Sequence, residues 1–510
     1  MLGMASTSRN NGYNKLVDFF DIPRWLFFTL LLIFILRIPS FLEPYSYGDE
    51  TIYLTLGEAI RQGIPLYSGV HDNKPPLLYI VAAISGNLFF FKTILAFWNV
   101  ATIILFWKLA KTLFTKSSLA MVAATFTFAI LTTLPLLEGN IANAELFMIG
   151  PAIWAFLLLL KKPGQKQIFW AGTLFSLATL FKVPAFFDIG AIVILWVMQE
   201  KLLGTKTLKK LLSNTIVLAA GFFLPIALSF LWFYAQGAYF EYLVAAFLQN
   251  VGYLSSWRPD DVQEPFLIKN LPLLTRFFVV VVGLGILYVK KARLSKEFVF
   301  ACAWLLFALF GVTLSERPYP HYLIQAVPPV CLIIGILVAK RNYEQIWSIP
   351  PLALAAFVPF FYHFWHYPTL SYYQRFLNFA GGQITKEEYL RSFGGQVVSY
   401  YKTADFIKRA TNPNEKIFVW GEGSQVYALS KRFPPGKYVA DYHIRDFSTN
   451  EELLATLAQR PPALFLVFPQ TRELPHEIVG FLTKNYAQVH EIEGVIIWKL
   501  LSTRVRQANF

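Results

Sequence analysis

Residues 45–79 read YSYGDETIYLTLGEAIRQGIPLYSGVHDNKPPLLY, a charged island in an apolar chain. An acidic pair, Asp49 and Glu50, opens a short segment, and His71-Asp72-Asn73-Lys74-Pro75-Pro76 closes the island just before the chain turns apolar again. Ile52, Leu56, Ala59 and Ile60 share one helical face, Thr55, Glu58 and Arg61 take the other, and Gly63 follows as a stop. The pattern predicts an amphipathic helix lying along a membrane interface.

The surrounding chain sets that island in a membrane. Its 510 residues are 55% hydrophobic, 17% aromatic and only 15% charged, with a mean hydropathy of +0.47. This is the composition of a polytopic α-helical membrane protein. The net charge of +14 sits in short Lys/Arg clusters between apolar runs, so it reads as topology and not as a nucleic-acid surface. Cys302 and Cys331 lie inside apolar runs, which excludes a disulfide framework and a cysteine metal site. The first 25 residues are polar and lack a small-residue cleavage site, so the first span is expected to be retained.

A helix needs about 20 apolar residues to cross the hydrocarbon. Eleven runs qualify as spans or part-spans, near 24–42, 93–111, 118–136, 145–160, 167–182, 184–199, 211–235, 271–289, 297–314, 321–339 and 347–365. About 11 to 13 transmembrane helices are therefore expected. The fifth and sixth are separated only by the Lys182-Val183-Pro184 corner and form a hairpin that need not fully cross. With the N-terminus cytoplasmic, Lys108/Lys111/Lys116, Lys161/Lys162/Lys166, Lys201/Lys206/Lys209/Lys210, Lys290/Lys291/Arg293/Lys296 and Lys340/Arg341 all fall inside, as the positive-inside rule requires. Counting Leu77–Phe91 as a further span would break that agreement, so it is laid on the outer interface or half-inserted. The expected division is a membrane part over 1–366, with a first outer loop at 43–92, and an extracytoplasmic α/β domain over 367–510. In that tail 416–420, 463–467 and 495–498 read as strands, and 403–409, 451–459 and 476–485 have helical spacing.

The outward-facing loops hold the candidate chemistry. Asp49 is either a helix N-cap or a general base that takes a proton from an acceptor hydroxyl or amine, with Glu50 capping or orienting. Lys74, before two prolines, is either a snorkelling lysine or a rigidly held cation for a phosphate. His71 and Asp72 are structural about as readily as functional. Glu145, after Asn143, stands at a helix start, where a carboxylate is commonplace. Arg317 and His321 either reach phosphate oxygens or mark the interface beside tyrosines. Lys182, in the middle of an apolar hairpin, is costly unless paired or wetted, which makes it a functional candidate by default. Arg258, Asp260 and Asp261 belong to a long outer loop that fits a lid or an acceptor contact.

Asp49-Glu50-Thr51-Ile52-Tyr53, followed by His71-Asp72-Asn73-Lys74-Pro75-Pro76-Leu77, resembles the protein O-mannosyltransferase and aminoarabinose transferase group of GT-C fold glycosyltransferases. The likeness extends more loosely to Asn143-Ala144-Glu145 and to Arg317-Pro318-Tyr319-Pro320-His321-Tyr322-Leu323. The full Asp-Glu-x-His-Phe-Gly signature of eukaryotic mannosyltransferases is missing, so a bacterial member in the inner (plasma) membrane is implied. The resemblance implies an inverting transfer of a sugar from a polyprenyl-phosphate-linked donor to a lipid, glycan or protein acceptor on the outer face. Carried over, Asp49 is the general base and Glu50 its support. Lys74 contacts the donor phosphate, with Lys182, Arg317 and His321 as further phosphate candidates, and Tyr53, His71, Asp72, Asn143, Glu145 and Arg258 are candidates for sugar or acceptor. No cofactor is required and no closed metal-ligand spacing is apparent, which leaves only a carboxylate-bound divalent ion as an option. The competing class is a polytopic transporter or lipid-carrier flippase, with Lys182 guiding an anion across the bilayer.

Overall fold

A computed structural model describes residues 22–199, 204–252, 265–339, 343–469 and 473–502. Arg258, Asp260 and Asp261 lie outside the described residues, as do Lys201, Lys340 and Arg341. The longer helices of the apolar part, in chain order, are α1 (Arg24–Arg37), α2 (Gly48–Arg61), α3 (Leu77–Ser85), α4 (Leu88–Leu113), α5 (Ser118–Leu131), α6 (Ala144–Leu159), α7 (Gln165–Phe181), α8 (Ile189–Gln199), α9 (Thr205–Ala235), α10 (Leu271–Lys290), α11 (Lys296–Thr313), α12 (Val327–Val338) and α13 (Tyr343–Phe361).

All eleven apolar runs fold as helices. Six segments among the described residues are long and apolar enough to cross a membrane: Arg24–Leu42, Leu88–Leu113, Thr205–Ala235, Leu271–Lys290, Lys296–Thr313 and Pro320–Val338. Ser118–Leu131, Ala144–Leu159 and Val183–Gln199 are apolar but shorter. At 1.5 Å per residue, the 16 residues of α6 reach roughly 24 Å, short of a hydrocarbon core of about 30 Å. The outer faces are greasy, with Phe277, Phe278, Val281 and Val289 of α10 all exposed. Such a continuous apolar exterior is what lipid, not water, covers.

Leu77–Phe91 is not one segment. Helix α3 has nine residues, about 13 Å of rise, and cannot cross. Gly86 ends it in the left-handed region at φ 67°, and Asn87 then caps α4 by accepting from the Phe90 N–H at 3.0 Å. The last residues of the run therefore belong to α4.

Helix α2 starts after Tyr47, without a side-chain cap, and Gly63 at φ 76° follows its end. Asp49 lies within its first turn and is not the N-cap residue. The helix is also more deeply covered than an interfacial one, since Glu50 through Gly57 are all buried. Gly57 makes this possible: a Cβ there would stand 2.6 Å from the Ala82 and Ala83 backbone of α3. The polar face meets the C-terminal region, where Thr51 Oγ1 lies 3.2 Å from Ser424 Oγ and Lys431 pairs with Glu58 at 3.4 Å.

That C-terminal region carries α14 (Thr369–Ala380), α15 (Val397–Ala410), α16 (Gln425–Ser430), α17 (Asp441–Phe447), α18 (Asn450–Gln459) and α19 (His476–Asn485) around strands β1 (Ile417–Trp420), β2 (Leu464–Val467), β3 (Tyr486–Ile492) and β4 (Val495–Leu500). The sheet order is β1-β2-β4-β3. Strands β1 and β2 are parallel, with Ile417 opposite Leu464, and the other two pairings are antiparallel. Alternation sends Ile417, Val419, Leu464 and Leu466 into the main core. Phe418, Trp420 and Phe465 point into a second core with Leu457, Ile478 and Leu482. Strand β3 was not foreseen. Its residues after Tyr486 are mostly exposed and polar, so no apolar alternation marks it.

Candidate active site

The first loop is fixed on Asp72. Its Oδ2 accepts from the Tyr79 hydroxyl at 2.8 Å and faces Lys74 Nζ at 3.4 Å, while Oδ1 takes the Asn73 N–H at 2.7 Å and lies 3.3 Å from His443 Nε2. Burial alone would raise this carboxyl, but Lys74 and then His443 outweigh it and hold Asp72 well below the ordinary range. The backbone of Lys74 is clamped as well. Its carbonyl accepts from the Tyr67 hydroxyl at 2.9 Å, and its N–H donates to Tyr79 Oη at 3.2 Å. The ammonium is thus aimed over the Tyr53 ring, 5.0 Å from its centre.

Tyr53 links this cation to the acidic pair. Its hydroxyl donates to Asp49 Oδ2 at 3.0 Å, one helical turn back. Asp49 is half-buried, whereas Glu50 points the opposite way into a closed network. Glu50 Oε1 accepts from the Ala142 N–H at 2.6 Å and pairs with Lys92 at 2.7 Å; Lys92 also reaches Glu43 at 2.7 Å and the Asn140 carbonyl at 2.8 Å. Asn140 donates to Glu43 at 2.7 Å, and Tyr372 of α14 completes the knot. Glu50 therefore ties α2 to α4 and to the 138–143 turn.

A second cluster gathers at the start of α6. Glu138 accepts from the Tyr47 hydroxyl at 3.0 Å, from Asn143 at 3.2 Å and from His321 Nδ1. His321 Nε2 stands 3.8 Å from Glu145, which is hydrogen-bonded to Lys182. Helix α7 stops at Phe181, and Pro184 starts a 3₁₀ turn at Val183–Asp188, so Lys182 projects from the break. Its ammonium sits 3.7 Å from the centre of the Tyr322 ring, and the charges of both Asp49 and Lys74 act on it. Lys182, Glu145 and Tyr322 form a polar wall of a cavity of ≈ 260 Å³ whose other walls include Met148, Phe187 and Val312.

Asp49, Tyr53, Lys74, Asp72, Glu145, Lys182, Asn143 and His321 are thus brought into one connected neighbourhood. His71 is buried and turned toward the C-terminal region: its backbone N–H donates to the Lys437 carbonyl at 2.9 Å, and its ring packs edge-on to Tyr438, His443 and Phe447. Arg317 is half-buried in the turn before the Pro320–Ala326 3₁₀ helix, its N–H 3.4 Å from Ser315 Oγ. Arg258 lies outside the described residues. Among the described residues no group of three or more His, Cys, Asp and Glu side chains is disposed to hold a metal ion.

The chain's fold is similar to that of solved structures. ArnT from Cupriavidus metallidurans bound to undecaprenyl phosphate matches at a TM-score of 0.57 and 12% identity, over 94% of this chain and 98% of that one. The same protein in the apo state matches at 0.51 and 12% identity, over 93% and 97%. The chain shares the fold of ArnT. The archaeal oligosaccharyltransferase AglB from Archaeoglobus fulgidus, in complex with an inhibitory peptide and a dolichol-phosphate, reaches a TM-score of 0.45 at 13% identity, over 87% of this chain and 69% of that one. Residues 400–500 match the C-terminal domain of the putative competence-induced protein Ccs4. No curated protein matches the sequence.

Glu138, Tyr47, Tyr79, Tyr322 and His443 join the site without having been singled out as functional from the sequence. Of these, Glu138 alone carries a signal in the sequence, as an acid between the 118–136 and 145–160 apolar runs.

Proposed function

We propose that the chain is an inverting glycosyltransferase that moves a sugar from a polyprenyl-phosphate-linked donor to a lipid, glycan or protein acceptor at the outer membrane face. One observation carries this assignment. A half-buried carboxylate, Asp49, is joined through Tyr53 to the Lys74 ammonium, and a second ammonium, Lys182, stands on the wall of a largely apolar cavity, in a fold shared with ArnT, which has been seen holding undecaprenyl phosphate.

The chemistry needs only those groups. Asp49 takes the proton of the acceptor hydroxyl or amine as its oxygen or nitrogen attacks the anomeric carbon opposite the phosphate. The bond from that carbon to the phosphate oxygen breaks, its electron pair stays on the phosphate, and configuration inverts. Polyprenyl phosphate departs with its charge met by Lys74 and Lys182. Tyr53 engages Asp49 Oδ2, so Oδ1 is the oxygen assigned to the acceptor proton. Asn143 and His321, through Glu138 and Glu145, hold the far side of the site. No cofactor enters this scheme.

The flippase alternative leaned on Lys182 as an isolated charge in an apolar hairpin. Lys182 is instead paired with Glu145 and grouped with Asp49 and Lys74, which favours a fixed anion site. The test is transfer of labelled sugar from a pool of polyprenyl-phosphate sugars, native chain against Asp49→Asn. The expected loss is about 10²–10⁴-fold, the usual contribution of a general base, with donor binding retained. Equal transfer by the variant, or movement of carrier lipid across liposomes with no transfer, overturns the assignment.

A further inference from the structure

A second, larger cavity lies away from the Asp49 site. It measures ≈ 790 Å³ and opens between residues 64–70 of the first loop and the face of the C-terminal region made by 416–418, 433–438 and 444–460. Its volume falls in the range of about 300–1,000 Å³ usual for small-molecule sites. Three cations line it, Lys416, Lys437 and Arg460, against one acid, Glu452. That acid is already engaged at the start of α18, accepting from Ser448 Oγ at 2.9 Å and from the Thr449 N–H at 3.4 Å. Among the described residues no carboxylate stands within ion-pair distance of the three cations.

Two of the cations are held above rings. Lys416 Nζ lies 5.4 Å from the centre of the Phe433 ring, and Lys437 Nζ 5.3 Å from that of Tyr438. Burial and then the neighbouring charge of Arg460 lower the Lys416 ammonium. Three cations against a single acid around a concave, aromatic-lined space leave an excess of positive charge that raises the free energy of the empty site, and an anion relieves it. Aromatic faces such as those of Tyr438 and Phe447 pack against the apolar C–H face of a sugar ring, while lysine and arginine take phosphate or carboxylate oxygens.

We propose that this cavity binds an anionic saccharide, its charged group on Lys416, Lys437 and Arg460 and a ring against the aromatic wall. Resting on the transferase reading, the saccharide is the head of the acceptor. The cavity is joined to the site by backbone: His71 bridges to Tyr438 and donates to the Lys437 carbonyl at 2.9 Å, three residues before Lys74.

The test is equilibrium binding to the full chain in detergent, using three size-matched trisaccharides: one with a terminal phosphate monoester, one with a terminal uronate, and one neutral. The expected result is at least tenfold tighter binding of one or both charged probes than of the neutral one. The charged probe that binds identifies the natural anion. Lys416→Gln with Arg460→Gln should remove the difference at unchanged melting temperature, whereas Asp49→Asn should leave it intact. Binding that survives in Asp49→Asn stands whether or not the chain transfers sugar, so the two readings fail separately. Equal binding of all three probes, no binding of any at millimolar concentration, or undiminished charged-probe binding by a normally folded double variant overturns the proposal.

Discussion

Asp72 Oδ1 and His443 Nε2 stand 3.3 Å apart, both fully buried, and join the loop that carries Lys74 to the sheet-bearing C-terminal region. The same carboxylate faces Lys74 through its other oxygen. The C-terminal region is therefore part of the structural support of the Lys74 loop and not a distant appendage. Asp72→Asn keeps the shape but strips the charge that Lys74 leans on. It should cost about 1.5–3 kcal/mol, the worth of hydrogen bonds to a charged group, and weaken donor binding. Thermal unfolding in detergent and a donor titration check both; an unchanged donor affinity would separate Lys74 from the donor phosphate.

His71 gives the joint a pH dependence. Burial, and then the His443 charge, lowers its imidazole to about 3 from the usual 6.5, with Asp72 pulling the other way and Lys437 adding to the decrease. Between those values the unfolded chain binds a proton that the folded one refuses, so stability falls as pH drops below 6.5. At pH 5 the loss is about 2 kcal/mol from this group. His71→Phe keeps the edge-on packing and has nothing to titrate. The drop in melting temperature from pH 7 to pH 5 should be smaller in that variant than in the native chain; an equal drop would place the titrating group elsewhere.

Much of this site was legible because its residues violate their surroundings. Lys182 breaks an apolar hairpin, Lys74 precedes a double proline, and Asp49 opens a charged loop, each a local anomaly visible along the chain. Helix positions were legible for the same kind of reason, through apolar runs and the Pro184 corner. What stayed hidden depends on partners distant in sequence. Nothing near Glu138 announces His321, and nothing near Asp72 announces His443. Lys92 stands just before the 93–111 apolar run, where nothing in the sequence marks it, yet it is buried between Glu43 and Glu50. Edge strand β3 escaped because solvent removes the alternation that marks a buried strand.

Lys182 and Glu145 form a pair whose members should fail differently alone and together. Glu145→Gln leaves a buried ammonium without its carboxylate and should cost about 3–5 kcal/mol, and Lys182→Met strands the acid similarly. Combining the two removes both charges and should recover most of that stability. Transfer should not recover, because the phosphate has lost a cation. Melting temperatures and sugar transfer across the three variants check this, and a double variant with native transfer would make the pair purely structural.

Glu50 and Lys92 separate architecture from chemistry within the acidic pair. Lys92 is the only cation the structure places between the buried carboxylates of Glu43 and Glu50 among the described residues. Lys92→Met leaves both acids uncompensated and should destabilise by about 3–5 kcal/mol or more. Glu50→Gln is a milder change. Burial raises the Glu50 carboxyl against the pull of Lys92, so its charged form is already disfavoured, and an amide oxygen can still accept from the Ala142 N–H and Lys92. Transfer by Glu50→Gln should stay within tenfold of native, while Asp49→Asn loses about 10²–10⁴-fold. Measuring both in the same membranes decides the matter: if Glu50→Gln falls as far as Asp49→Asn at an unchanged melting temperature, Glu50 belongs to the chemistry and not to the knot around Lys92.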